Sequence, residues 1–141
     1  MGTTTATPLP VCKAILLCHH VEADAPGELN LTGVVSNLFV DESMLAAPIE
    51  LFCQITDAVG RYELRVEVHD LELNEVVGRS EPTVFDADDP LTNLNIIMPV
   101  DEIRFQRIGL HEVVVFANGE EIDRKKFGVA YREGTEHVVS H

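Results

Sequence analysis

The stretch Arg61-Tyr62-Glu63-Leu64-Arg65-Val66-Glu67-Val68-His69-Asp70 has a period of two. Along an extended chain Tyr62, Leu64, Val66 and Val68 point one way, and Glu63, Arg65, Glu67 and His69 the other. A sheet with one buried face and one wet face requires that alternation. The period recurs on either side. Ile49, Leu51, Cys53 and Ile55 make a second inner row, and Leu94, Ile96, Met98 and Val100 a third. Turn signals separate the rows. Ala25-Pro26-Gly27 divides an expected strand at 11–21 from one at 29–40. Residues 57–60 divide 49–56 from 62–70, a gap short enough for a hairpin. Asn118-Gly119 is the sharpest signal, because both residues tolerate the positive φ of a type I′ turn, so 110–117 and 120–131 should pair. Only residues 41–47 suit a helical turn, which Pro48 would end. The expected fold is all-β and antiparallel, a sandwich or barrel of seven or eight strands with at most one short helical turn.

At 141 residues the chain has the size of one domain, long enough to be stable without a disulfide or metal. The expected organisation is a Thr- and Pro-rich flexible leader at 1–10, a β-sandwich domain at 11–131 and a polar tail at 132–141. No apolar run approaches the length that spans a membrane. Ten basic against 24 acidic residues leave a net charge of −14, which opposes association with nucleic acid or anionic lipid. The first ten residues lack the charged and apolar regions of a secretory signal. The three cysteines, Cys12, Cys18 and Cys53, lack metal-like spacing, so reduced thiols in a cytoplasmic protein are expected.

The run from Cys18 to Asp24, followed by Gly27-Glu28-Leu29-Asn30-Leu31-Thr32-Gly33-Val34, resembles the opening of a family of small uncharacterised bacterial proteins, a domain of unknown function. That family opens with a strand and a Gly-x-Leu-Asn-x-x-Gly-Val element. A later Gly-x-His strand and an Asn-Gly hairpin correspond to Gly109 to His111 and Asn118-Gly119. The resemblance covers residues 11–131 and implies an immunoglobulin-like sandwich. It implies no activity.

Candidate chemistry is sparse. Strict alternation would place Cys12, Cys18 and His20 on one strand face and His19 on the other. Cys12 and Cys18 would lie about 20 Å apart, too far to share an ion. Cys18 and His20 would offer zinc two ligands, and Cys53 a third from an adjacent strand, although small core cysteines are the plainer reading. Asp86, Asp88 and Asp89 are weak candidates for a calcium site at a loop tip, but they lack Asp-x-Asp-x-Asp-Gly spacing, and a solvated loop is the plainer reading. No Gly-x-Ser-x-Gly elbow or phosphate-cradling loop is present, so no catalytic residue and no cofactor is expected. Arg124-Lys125-Lys126 reads as charge protecting an edge strand.

The strand at 113–117 breaks the alternation. With Val113, Val115 and Ala117 inside, Val114 and Phe116 face outward, where polar residues belong. Such a strand is either covered by another segment or offers a binding surface, which makes Val114 and Phe116 the candidate partner-binding residues. The expected function is a non-enzymatic interaction or assembly module that binds itself or a protein partner. Two alternatives remain: a loop-tip ligand- or calcium-binding domain, and a thiol-dependent enzyme around Cys18, His20 and Cys53.

Overall fold

The computed structural model describes residues 7–25 and 28–132. Residues 1–6 of the expected leader, 133–141 of the expected tail, and Pro26-Gly27 of the first expected turn lie outside the described residues. The elements are β1 (Val11–Ala25), β2 (Glu28–Val35), β3 (Asn37–Val40), β4 (Leu45–Ala46), β5 (Ile49–Thr56), β6 (Gly60–Asp70), β7 (Glu75–Arg79), β8 (Thr83–Ala87), β9 (Leu94–Val100), β10 (Ile103–Arg104), β11 (Gly109–Ala117) and β12 (Glu120–Tyr131). No helix among the described residues is long and apolar enough to cross a membrane.

The protein is an all-β sandwich. One sheet runs β2-β1-β5-β9 and the other β3-β12-β11-β6-β7, with β8 also paired to β6 and a small ribbon of β4 and β10 alongside. Among the described residues every pairing is antiparallel except β3 with β12. The inner rows read from the sequence meet between the sheets: Leu51, Cys53 and Ile55 from β5 and Met98 from β9 face Leu64 and Val66 from β6 and Val113 and Val115 from β11. The Asn118-Gly119 turn joins β11 to β12, both residues taking positive φ, 50° and 85°.

Four expectations need correction. Among the described residues twelve strands are present rather than seven or eight, because short β4, β7, β8 and β10 carry too few residues to show a period. Residues 57–60 do not close a hairpin: β5 and β6 lie in opposite sheets, and the segment carries the chain across the core. The strand expected at 29–40 breaks at Ser36, so that β2 pairs with β1 in one sheet and β3 with β12 in the other. Residues 41–47 form no helical turn. The Asp41 carbonyl accepts the Met44 N–H at 3.0 Å and its carboxylate accepts the Ser43 N–H at 2.8 Å, a turn that delivers the chain into β4.

The segment before β1 is held at Pro8 and Pro10. The Tyr62 hydroxyl donates to the Pro8 carbonyl at 2.7 Å, and Pro10 is buried. At its other end β1 outruns its neighbour. Its pairing with β5 stops at Cys18, whereas its pairing with β2 continues to Ala25, so β1 and β2 project as a two-stranded arm.

Candidate functional site

One β-bulge decides which side chains β1 presents on each face. Cys12 pairs with Ile55, Ala14 with Gln54 and Ile15 with Cys53, so an extra residue is inserted after Cys12 and the phase reverses. Cys12 therefore joins Ile15 and Leu17 on the inner face, and Leu16 and Cys18 turn outward. The expectation that Cys12, Cys18 and His20 share a face fails for this reason. Cys53, opposite Ile15, lies on the other side of the sheet from Cys18 and His20, and the three cannot ligate one ion. Among the described residues no three His, Cys, Asp or Glu side chains come together as a metal-holding group.

The outer face of the β2-β1-β5-β9 sheet then carries an apolar strip. Leu16, Phe52 and Ile97 stand side by side across β1, β5 and β9. The next row reads Val34, Cys18, Glu50 and Pro99 across four strands. Neighbouring side chains leave Cys18 0% and Phe52 8% exposed, while Val34 is 54% exposed. Burial, and then the Glu50 charge, push the Cys18 thiol above its ordinary range. Polar pairs frame the strip. At one end Glu50 accepts the Val21 N–H at 2.6 Å and lies 3.0 Å from His20 Nδ1; at the other Gln54 donates to Asn95 at 3.1 Å. An apolar centre with a polar rim is the anatomy of a protein interface.

The sequence signal for this strip was available. Leu16-Leu17, Leu51-Phe52-Cys53 and Ile96-Ile97 are two-faced apolar runs of the same kind as Val113-Val114.

The opposite outer face is built differently. Val114 and Phe116 do point away from the core, but charged side chains close over them. Val114 lies between Glu67 of β6 and Arg124 of β12 and is 1% exposed. The Arg65 guanidinium sits 4.5 Å above the half-buried Phe116 ring. Glu67 pairs with Arg65 and with His69, and Arg124 bridges Glu112 at 3.0 Å and Glu121. Burial works against the Glu67 charge, but the His69 and Arg65 hydrogen bonds outweigh it and hold this carboxyl below its ordinary range. Of the two readings of Val114 and Phe116, cover and open surface, cover is what these side chains provide: the pair forms a two-residue apolar floor under an ionic lattice, because long Arg and Glu stems on the flanking strands reach across.

The acidic residues at 86–89 do not converge on a site. Asp86, the penultimate residue of β8, lies beside Arg61, at 3.5 Å, and Asp89 spends both carboxylate oxygens on the following turn, accepting from the Leu91 N–H at 2.9 Å and the Thr92 hydroxyl at 3.1 Å. Asp88 is exposed. A cleft of about 370 Å³ is lined by His19, Leu38, Phe39, Ala46, Ile49 and Arg132.

A family model matches residues 13–130, from the first bulged residue of β1 to the penultimate residue of β12. The chain belongs to a family of unknown function (DUF6941). No curated protein matches it. Among solved structures it is similar to a glycosyl hydrolase family 2 member from Bacteroides cellulosilyticus, at 17% identity and a TM-score of 0.42, over 63% of this chain and 13% of that one. It is also similar to the alkylpurine DNA glycosylase AlkC of Pseudomonas fluorescens bound to DNA containing an abasic site analogue, at 13% identity and a TM-score of 0.43, over 82% of this chain and 30% of that one. The DUF6941 chain thus spans less than a third of either protein.

Proposed function

We propose that this DUF6941 protein is a non-enzymatic β-sandwich interaction module that binds a second copy of itself or a protein partner. Its docking surface is the outer face of the β2-β1-β5-β9 sheet, and its working compartment is a reducing one such as the cytoplasm. The observation that carries this reading is the in-register apolar row Leu16, Phe52 and Ile97, with Val34 and Pro99 extending it on a face that a solitary sandwich would present to water. The ionic cover over Val114 and Phe116 supports the choice of face, since it marks the other sheet as the solvated one.

Sedimentation velocity tests the reading with a second copy as first partner. The wild type should sediment above its 15.6 kDa monomer mass, and Ile97→Glu, on an edge strand and only partly buried, should return it to monomer with an unchanged circular dichroism spectrum. If the wild type is monomeric, the same variant should weaken capture of a protein partner. A monomer whose every captured partner ignores Ile97→Glu and Leu16→Glu sinks the reading.

A further inference from the structure

Two of the three thiols form a pair that the interface does not use. The bulge after Cys12 leaves it opposite Ile55 on the inner face, diagonally beside Cys53, which sits opposite Ile15. The register sets the two side chains on one face of adjacent strands, as neighbours on the diagonal. The Cys12 S–H donates to the Ala14 carbonyl at 3.5 Å. Access differs between them. Cys12 is half-buried near the start of β1, whereas Cys53 is sealed in the core. Cys18 is on the opposite face of the same sheet and cannot reach either.

The ionisation of the pair divides in the same sense. The Cys53 hydrogen bond holds the Cys12 thiol below its ordinary range, although burial and the Asp123 carboxylate oppose this. That bond, burial and the Cys12 charge push Cys53 above it. A half-buried thiol beside a fully buried one on the next strand is the arrangement of an attacking and a resolving cysteine.

We propose that Cys12 and Cys53 are an oxidant-sensitive pair, in which Cys12 attacks a peroxide and Cys53 resolves it to an intramolecular disulfide between β1 and β5. The Cys12 thiolate attacks one peroxide oxygen and the O–O bond breaks. Sulfur keeps a hydroxyl as sulfenic acid, and the other oxygen leaves as hydroxide, which takes up the proton Cys12 lost and becomes water. The Cys53 sulfur then attacks the Cys12 sulfur. The S–O bond breaks, and the hydroxyl leaves with the Cys53 proton as a second water. Two thiols and one hydrogen peroxide become one disulfide and two waters, two electrons passing from sulfur to oxygen.

The test is non-reducing peptide mapping of the native wild type after treatment with stoichiometric hydrogen peroxide. The expected result is an intact mass lowered by two hydrogens, a peptide linking Cys12 to Cys53, a Cys18 that still alkylates after denaturation, and reversal by dithiothreitol. In Cys53→Ala the reaction should stop at a Cys12 sulfenic acid that dimedone captures. Alkylation of Cys12 and Cys53 in full after peroxide, a wild-type Cys12 arrested at sulfenic acid, or a bridge that includes Cys18 overturns the proposal. If Cys53→Ala does not fold, the wild-type map decides alone.

Discussion

Asp70 offers the sharpest test of how this sandwich tolerates buried charge. It ends β6, and its side chain is 0% exposed. One carboxylate oxygen accepts the N–H groups of Glu72 at 2.9 Å and Leu73 at 3.0 Å, which shapes the turn into β7. The other faces Arg107 Nε at 3.5 Å and His111 Nε2 at 3.6 Å, and these three atoms have no closer hydrogen-bond partner. His111 is itself 0% exposed, donates from Nδ1 to the Gly109 carbonyl at 3.0 Å, and is wedged edge-on against Phe105 with ring centres 4.9 Å apart. Asp70→Asn keeps an oxygen for the turn but removes the charge that the Arg107 guanidinium faces. Breaking a buried ion pair from one side costs about 3–5 kcal/mol, and Arg107 keeps its pairing with Glu72, so the lower end, about 3 kcal/mol, is expected. That corresponds to a fall in Tm on the order of 10 °C.

The pH dependence adds a second reading of the same group. Burial pushes the Asp70 carboxyl up, but the Leu73 and Glu72 amides, His111 and Arg107 together hold it below its ordinary range. A depressed carboxyl contributes stability above its unfolded pKa, about 3.9, and that contribution disappears as pH falls through the lower folded value. Urea unfolding of wild type and Asp70→Asn should therefore show the full gap at pH 7 and a smaller one near the folded pKa. A gap at pH 7 below about 0.5 kcal/mol, the scale of an ordinary surface substitution, refutes the reasoning, as does a gap that ignores pH.

Other outcomes follow from single contacts. Tyr62→Phe removes the hydroxyl that donates to Pro8 at 2.7 Å and accepts from the Val59 N–H at 3.0 Å, and should cost about 1–2 kcal/mol in denaturant melts while freeing residues 7–10 to proteolysis. Gly33→Ala places a Cβ at positive φ, 68°, and against the His19 ring; a loss of about 1–2 kcal/mol is expected, with hydrogen exchange quickened first in β2. Since each chain carries −14, self-association through the apolar strip should strengthen as salt rises from low to physiological ionic strength, and sedimentation at two salt concentrations reads this directly.

Local alternation was enough to identify the strands of the core and their inward residues, from Tyr62 to Val68 and from Ile49 to Ile55, because a side chain's direction along an extended segment depends only on its neighbours in the chain. The Asn118-Gly119 turn was legible for the same reason, its backbone preference being its own. Tertiary structure alone decided the rest. The bulge after Cys12 exists because β1 must keep register with β5, a strand far along the chain, and it moves Cys12 to the face of Cys53 while sending Leu16 and Cys18 outward. The break at Ser36 exists because β12 takes β3 as a parallel neighbour. The cover over Val114 depends on Arg124 and Glu67 arriving from two different strands. Pairing partners, and the long side chains they bring, are properties of the closed sandwich, and no window of adjacent residues contains them.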